Sequence, residues 1–278
     1  DNILLSFIKF VINSLYYWEK MKKYLYLLRY NEKTISELFA LGISIISVLN
    51  VWGESYSIAD RIIMLFLILL LIIACLVMHD SCKKHYTIRL DNGKKIRVSF
   101  GSIFKKRGVI VIPVNTTFDV RVDNRIVSGN SLHGQFINKY YSKNVASLSY
   151  YIAEYLKTRK IGYELSGSKK KYPTGTVVPI TVKENTFLLL ALTDFDCEDT
   201  AHCSKKDYPV ILYELFDFIY KNYQDKKIYL PLIGGGLARL NKSPQQILEY
   251  LISILKFNDE HLPEHTEIIV HDRKSIIL

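Results

Sequence analysis

Three consecutive glycines, Gly234-Gly235-Gly236, follow the apolar run LPLI at residues 230–233. Glycine in a regular element costs about 0.5–1 kcal/mol relative to alanine, so a triplet at a strand end marks a place where something approaches the bare backbone. The N–H groups of such a turn form an anion nest, and Arg239 adds a positive charge nearby. The spacing is neither that of a P-loop nor a G-x-G-x-x-G dinucleotide turn. The chemistry expected is therefore phosphate binding without an ATPase or dinucleotide fingerprint.

Two further segments carry groups suited to a polar ligand. Asn115, Thr116, Thr117, Phe118 and Asp119 follow the run VIVIPV. The Asn115 carboxamide donates and accepts, as a sugar hydroxyl requires, although the same residue types also make ordinary turns. In SGNSLHGQF, residues 128–136, Ser131, Leu132, His133, Gly134 and Gln135 open a helix. On sequence alone His133 is a general base, a metal ligand or a plain loop residue, and Gly134 fits a close backbone approach to a ligand. Asp119 and His133 are the only fair candidates for acid–base work. Cys197, His202 and Cys203, in DCEDTAHC, are too few and wrongly spaced for a zinc site, so no metal is expected.

These loops need strands that end side by side. VIVIPV (109–114), GTVVPITV (175–182), FLLLALT (187–193), KIYLPLI (227–233) and EIIVHD (267–272) read as strands buried on both faces. Asn92-Gly93 sits between two near-alternating runs as a hairpin turn. Residues 145–158, 208–223 and 243–257 read as helices, the last with Ser243 as N-cap and Pro244 in its first turn. Alternation of strand and helix predicts an α/β fold with a mostly parallel sheet between helices. Ligands in such sheets bind beyond the carboxyl ends of the strands, where all three loops lie.

The N-terminal third reads differently. Residues 62–78, IIMLFLILLLIIACLVM, carry no charge and approach the roughly 20 residues that cross a bilayer. Residues 35–52 form a weaker span, interrupted by Glu37, Ser44, Ser47 and Asn50. The expectation is a transmembrane helical hairpin over residues 34–79, with an amphipathic or interfacial segment at 1–33 and a soluble domain at 80–278. Basic residues flank the hairpin on both sides and are scarce in its connecting loop, which places both termini in the cytoplasm.

The 278 residues hold 37 Lys and Arg against 27 Asp and Glu, a net charge of +10. The excess is spread along the chain rather than gathered into a stripe, so a nucleic-acid partner is not expected. Four scattered cysteines suggest a reducing compartment, not a disulfide framework.

Five segments in order resemble a macro domain, the ADP-ribose-binding module. GSIF (101–104) is similar to the segment beside the adenine, VIPVNTTFD (111–119) to the strand and loop beside the distal ribose, and SLHGQFI (131–137) to the loop opening the next helix. PTGTVVPI (173–180) and LPLIGGGLARL (230–240) are similar to a glycine-bearing strand entry and the second phosphate loop. The resemblance implies a three-layer α/β/α macro-like domain with a mixed, mostly parallel sheet. It implies ligand contacts at Ser102 and Ile103; at Asn115, Thr116, Thr117, Phe118 and Asp119; and at Ser131, Leu132, His133, Gly134 and Gln135. It adds Gly175, Thr193, the glycines 234–236, Leu237 and Arg239.

With the N-terminal spans, the chain resembles the membrane effectors of type II Thoeris anti-phage systems. That resemblance implies a non-enzymatic sensor of an ADP-ribose-derived signal, histidine-conjugated ADP-ribose made by a TIR-domain NADase. It further implies homo-oligomerisation, membrane disruption, a two-pass location in the bacterial inner membrane, and no cofactor. Ser102 stands where the family has Asp, and Phe118-Asp119 where hydrolytic members have a second Asn. A membrane-anchored ADP-ribosylhydrolase is the alternative.

Overall fold

The computed structural model describes residues 85–195 and 201–276, together with scattered positions between 40 and 67. The chain divides into two compact units, Asp1–Lys83 and Lys84–Leu278. The segments expected to span a membrane lie, apart from those scattered positions, outside the described residues. Among the described residues no helix is long and apolar enough to cross a membrane.

The second unit is built on one sheet. Its strands are β1 (His85–Arg89), β2 (Lys95–Phe100), β3 (Val109–Asn115), β6 (Val177–Val182), β7 (Asn185–Phe195), β9 (Ile228–Pro231) and β10 (His265–Val270). They run in the order β1-β2-β10-β9-β3-β7-β6, and the short β8 (Ala201–His202) adds to β7. The central neighbours β2/β10, β10/β9, β9/β3 and β3/β7 are parallel. The outer pairs β1/β2 and β6/β7 are antiparallel. The sheet is thus mixed and mostly parallel, as the alternation of elements predicts. A two-stranded hairpin, β4 (Glu164–Ser166) with β5 (Lys169–Lys171), stands apart; its polar sequence carries no strand signal.

Side chains of a strand alternate between faces, and the central strands are apolar on both. Val109 and Val111 of β3, with Leu188, Leu190 and Leu192 of β7, enter one core. Ile110, Ile112 and Val114, with Phe187, Leu189 and Ala191, enter the other. The first core is closed by α3 (Tyr208–Tyr223) and α4 (Pro244–Phe257). The second is closed by α1 (Leu132–Tyr140) and α2 (Val145–Thr158). Each helix turns one apolar stripe inward; Leu148, Ile152 and Leu156 recur every fourth residue along α2. The result is a three-layer α/β/α domain.

Side chains cap the starts of α1, α2 and α4. Ser131 Oγ accepts from Gly134 N at 2.9 Å, and Asn144 Oδ1 from Ser147 N at 3.3 Å. Ser243 and Gln246 form a reciprocal capping box at α4.

Phe187 lies under α1, its ring 4.8 Å from Phe136 and 4.9 Å from Tyr140 between centroids. Phe187→Ala leaves a large void in a fully buried aromatic cluster. The expected loss is about 3–5 kcal/mol of unfolding free energy, read from urea denaturation; a loss below 1 kcal/mol would contradict this packing.

Candidate functional site

Strands β3 and β9 pair at two positions only, Val109 with Ile228 and Ile110 with Tyr229. Beyond them the two strands part. From β3 the chain goes on toward the β7–β6 edge, and from β9 toward β10, so the split is a switch point of the sheet. A cavity of about 410 Å³ opens there. One side is the end of β3, from Pro113 to Asn115, with Leu192 and Thr193 of β7. The others are the turn at 124–128, the start of α1, and the glycine loop after β9.

The β3 end is shaped by its own side chains. The β3/β7 register shifts between Val114 and Asn115, where Asn115 comes opposite Thr193. Asn115 Oδ1 accepts from Asp119 N at 3.0 Å and from the Thr117 hydroxyl at 3.3 Å. That curls the loop, while Asn115 itself stays buried in the cavity wall. The turn reading of this residue and the wall position therefore hold together.

The rest of that loop turns away. Thr116 is fully buried, and its hydroxyl donates to Asp194 Oδ1 at 3.2 Å. Phe118 is held at φ 49° and packs in the core, edge-on to Tyr172 at 5.9 Å. Asp119 is bound by Lys169 at 2.6 Å and by the Thr117 hydroxyl at 2.8 Å. None of Thr116, Thr117, Phe118 and Asp119 lines the cavity.

The glycine loop does line it, through Gly234, Gly235, Gly236 and Arg239. Gly234 and Gly236 have φ of 87° and 65°, the left-handed region that glycine enters without steric cost. A Cβ on Gly234 would stand 3.1–3.2 Å from Leu240 and Tyr208. The three amides are not equivalent, because Gly235 N–H donates to Leu232 O at 3.0 Å within the turn. Among the described residues the amides of Gly234 and Gly236 have no such partner in the turn. Arg239, at φ 47°, is exposed on the cavity rim.

Across the cavity stands the N-terminus of α1. The amides of its first turn have no acceptor within the helix, and Ser131, Leu132 and His133 all line the space. His133 is buried, and its Nε2 has no hydrogen-bond partner, the single such buried side-chain atom among the described residues. Burial pushes its pKa down to about 4, against an opposing pull from the Asp119 charge.

Some expected contacts belong to the scaffold instead. A Cβ on Gly134 would lie 2.2 Å from Ser128 O, so this glycine lets α1 close onto the preceding loop rather than onto a ligand. The Gln135 side chain donates to Asn130 O at 2.9 Å. Gly175, at φ 86°, packs against Glu214 and Ile211 of α3. Ser102 leads into a short 3-10 turn, and Ile103 is core; neither lines the cavity.

Conversely, the turn Asn124-Arg125-Ile126-Val127-Ser128 lines the cavity without any expectation from sequence. Asp123 shapes it, accepting from the amides of Arg125 and Ile126 at 3.0 and 2.8 Å. The Asx pattern of Asp123 and Asn124 was the available signal. Among the described residues no cluster of three metal-ligating side chains occurs, and Cys197 lies outside them.

Two arginines, Arg125 and Arg239, line this cavity, and among the described residues no Asp, Glu or Lys does. The nearby carboxylates of Asp119 and Asp194 are each paired with a lysine of β5. With two turn amides and a helix N-terminus, the wall suits a polyanion that also carries hydroxyl groups.

A family model described as the macro domain of the Thoeris protein ThsA matches residues 96–271. The Thoeris protein ThsA of Bacillus amyloliquefaciens is 28% identical over 155 residues, which is 53% of this chain and 51% of that protein. The match thus spans about half the length of that relative. An Oceanobacillus iheyensis macrodomain mutant is 12% identical, covering 69% of this chain and 92% of its own, with a TM-score of 0.47. The same macrodomain with ADP is 12% identical, covering 69% and 90%, with a TM-score of 0.48.

His133 also makes stability depend on pH. Its imidazole titrates near 6.5 when unfolded and near 4 when folded. The favourable neutral state is intact above pH 6.5 and is lost as pH falls from there toward 4, a swing of about 3 kcal/mol. Between pH 7 and 4.5 the protein should lose roughly 2 kcal/mol more stability than His133→Gln, measured by denaturant titration. Parallel losses would show that His133 titrates normally.

Proposed function

The chain belongs to the Thoeris ThsA macro-domain family, and from that premise we propose that its folded domain is the sensor of an ADP-ribose-derived signal. The observation that carries this reading is the cavity wall, with two arginines, a glycine turn, a helix N-terminus and, among the described residues, no carboxylate. The diphosphate sits between the start of α1 and the amides of Gly234 and Gly236. The distal ribose meets the Asn115 carboxamide, whose nitrogen makes no hydrogen bond to the described residues, and Thr193 lies beside it. Whatever decorates the ribose lies toward His133.

The proposal extends to the setting of the Thoeris relative. The signal is histidine-conjugated ADP-ribose made by a TIR-domain NADase in an infected cell. Binding favours an oligomer, and the apolar N-terminal segments carry the output to the bacterial cell membrane. A ligand shifts such an equilibrium only by its differential affinity for the two states, so tight and selective binding is required.

Binding without turnover fits the side chains available. The Asp119 carboxylate is engaged by Lys169 and Thr117, and His133 has no hydrogen-bond partner at Nε2 to orient it as a base.

Calorimetry of the full chain with ADP-ribose, histidine-conjugated ADP-ribose, cyclic ADP-ribose and NAD, with product analysis, tests the proposal. Binding of one decorated ligand without turnover is the expected result. Gly235→Glu places a carboxylate in the turn and should weaken binding at least about 100-fold, with melting temperature as the folding control. Turnover would make the protein a hydrolase; unchanged affinity in Gly235→Glu would refute the phosphate assignment.

A further inference from the structure

We infer that His133 is a specificity-determining residue of this cavity, its imidazole pairing with a hydroxyl of the sugar beyond the diphosphate and not with a phosphate. The inference rests on the reading of the cavity as an ADP-ribose site.

Geometry carries it first. Buried polar atoms are nearly always hydrogen-bonded, and an exception calls for a missing partner. Among the described residues that exception is His133 Nε2, in a residue only 4% exposed that lines the cavity. Its neighbours do not supply the bond. Ser131 is occupied by the Gly134 amide and Ser128 O. Asp119, the carboxylate whose charge reaches it, is engaged by Lys169 and Thr117.

The position within α1 separates two kinds of recognition. His133 is the second residue of the helix. Its backbone N–H, with that of Leu132, belongs to the anion-binding first turn. Its side chain supplies something different. A neutral imidazole carries one donor and one acceptor nitrogen, which matches a hydroxyl that both gives and takes a proton.

A phosphate would call for the imidazolium. The surroundings of the ring, taken together, oppose that form. Asp119, from the loop after β3, favours protonation but shares its charge with Lys169 of β5. Arg125 and Arg239, lining the same cavity, add positive charge. Burial is the largest influence and favours the neutral ring. At pH 7 the ring is therefore neutral. A site built around a hydroxyl partner rejects ligands that lack it, because the buried nitrogen is then left unpaired.

The test compares ADP-ribose with ADP, which keeps the adenosine and diphosphate but lacks the second sugar. Both are titrated calorimetrically into the full chain, wild type, His133→Ala and His133→Gln, at several pH values from 5.5 to 8. The expected result is a loss of about tenfold or more for ADP-ribose in His133→Ala, with ADP affinity within about twofold of wild type. The unchanged ADP affinity reports an intact fold. His133→Gln, whose amide also donates and accepts, should recover most of the loss, and ADP-ribose affinity should stay flat from pH 8 to 5.5. Equal losses for the two ligands, no loss for either, or affinity that climbs as pH falls would overturn the inference and leave the sensor reading in place. Wild-type chain that binds neither of these two would overturn this inference, and failure to bind histidine-conjugated ADP-ribose as well would overturn the sensor reading with it.

Discussion

The site exists because β3 and β9 stay together for two residue pairs and then separate. Two parallel strands that part leave backbone amides and carbonyls with no strand to satisfy them, and buried groups of that kind must find other partners. The loops beyond the split answer this requirement. Thr116 N–H reaches across to Thr193 O at 2.8 Å, and Tyr172 N–H donates to Thr116 O at 2.9 Å. Ile233 and Gly235 fold back onto Pro231 and Leu232 on the opposite side. Between these two sets of closed turns lies the cavity wall.

Charge is sorted along the same boundary. Among the described residues, Asp119 follows the end of β3 and Asp194 lies near the end of β7, and both are held by lysines of the β4–β5 hairpin. Thr116 ties Asp194 to the buried backbone. The hairpin so neutralises the carboxylates that would otherwise repel an anion, while the arginines of the wall come from two unrelated loops. An anion at this wall would gain from both halves of that arrangement, since neutralised carboxylates do not oppose the arginines.

Glycines illustrate how one residue type serves different constraints. Gly234 and Gly236 stand at positive φ on the cavity. Gly134 instead permits a contact between helix and loop that any Cβ would block. Its effect on the ligand is indirect, because it fixes where the first turn of α1, and with it His133, comes to rest.

Much of the scaffold is legible in the sequence by itself. Unbroken apolar runs in VIVIPV and FLLLALT give central strands buried on both faces, and Asn92-Gly93 marks the first hairpin. Ser243-Pro244 marks the start of α4, and the helices at 145–158 and 208–223 follow from apolar spacing. These are local properties, decided by which side chains recur at which interval. The loops that carry chemistry are legible as loops for the same reason, and Asn115, His133 and the glycine triplet do meet around one cavity. Tertiary structure alone decides the roles within them. Whether Phe118 faces a ligand or a core depends on Tyr172, more than fifty residues away, and Asp119 depends on Lys169. Arg125 enters the wall because Asp123 and Asn124 bend the chain there, and Gly235 spends its amide on Leu232. Such assignments turn on partners distant in sequence or on the angle of a single turn, and no local pattern encodes either.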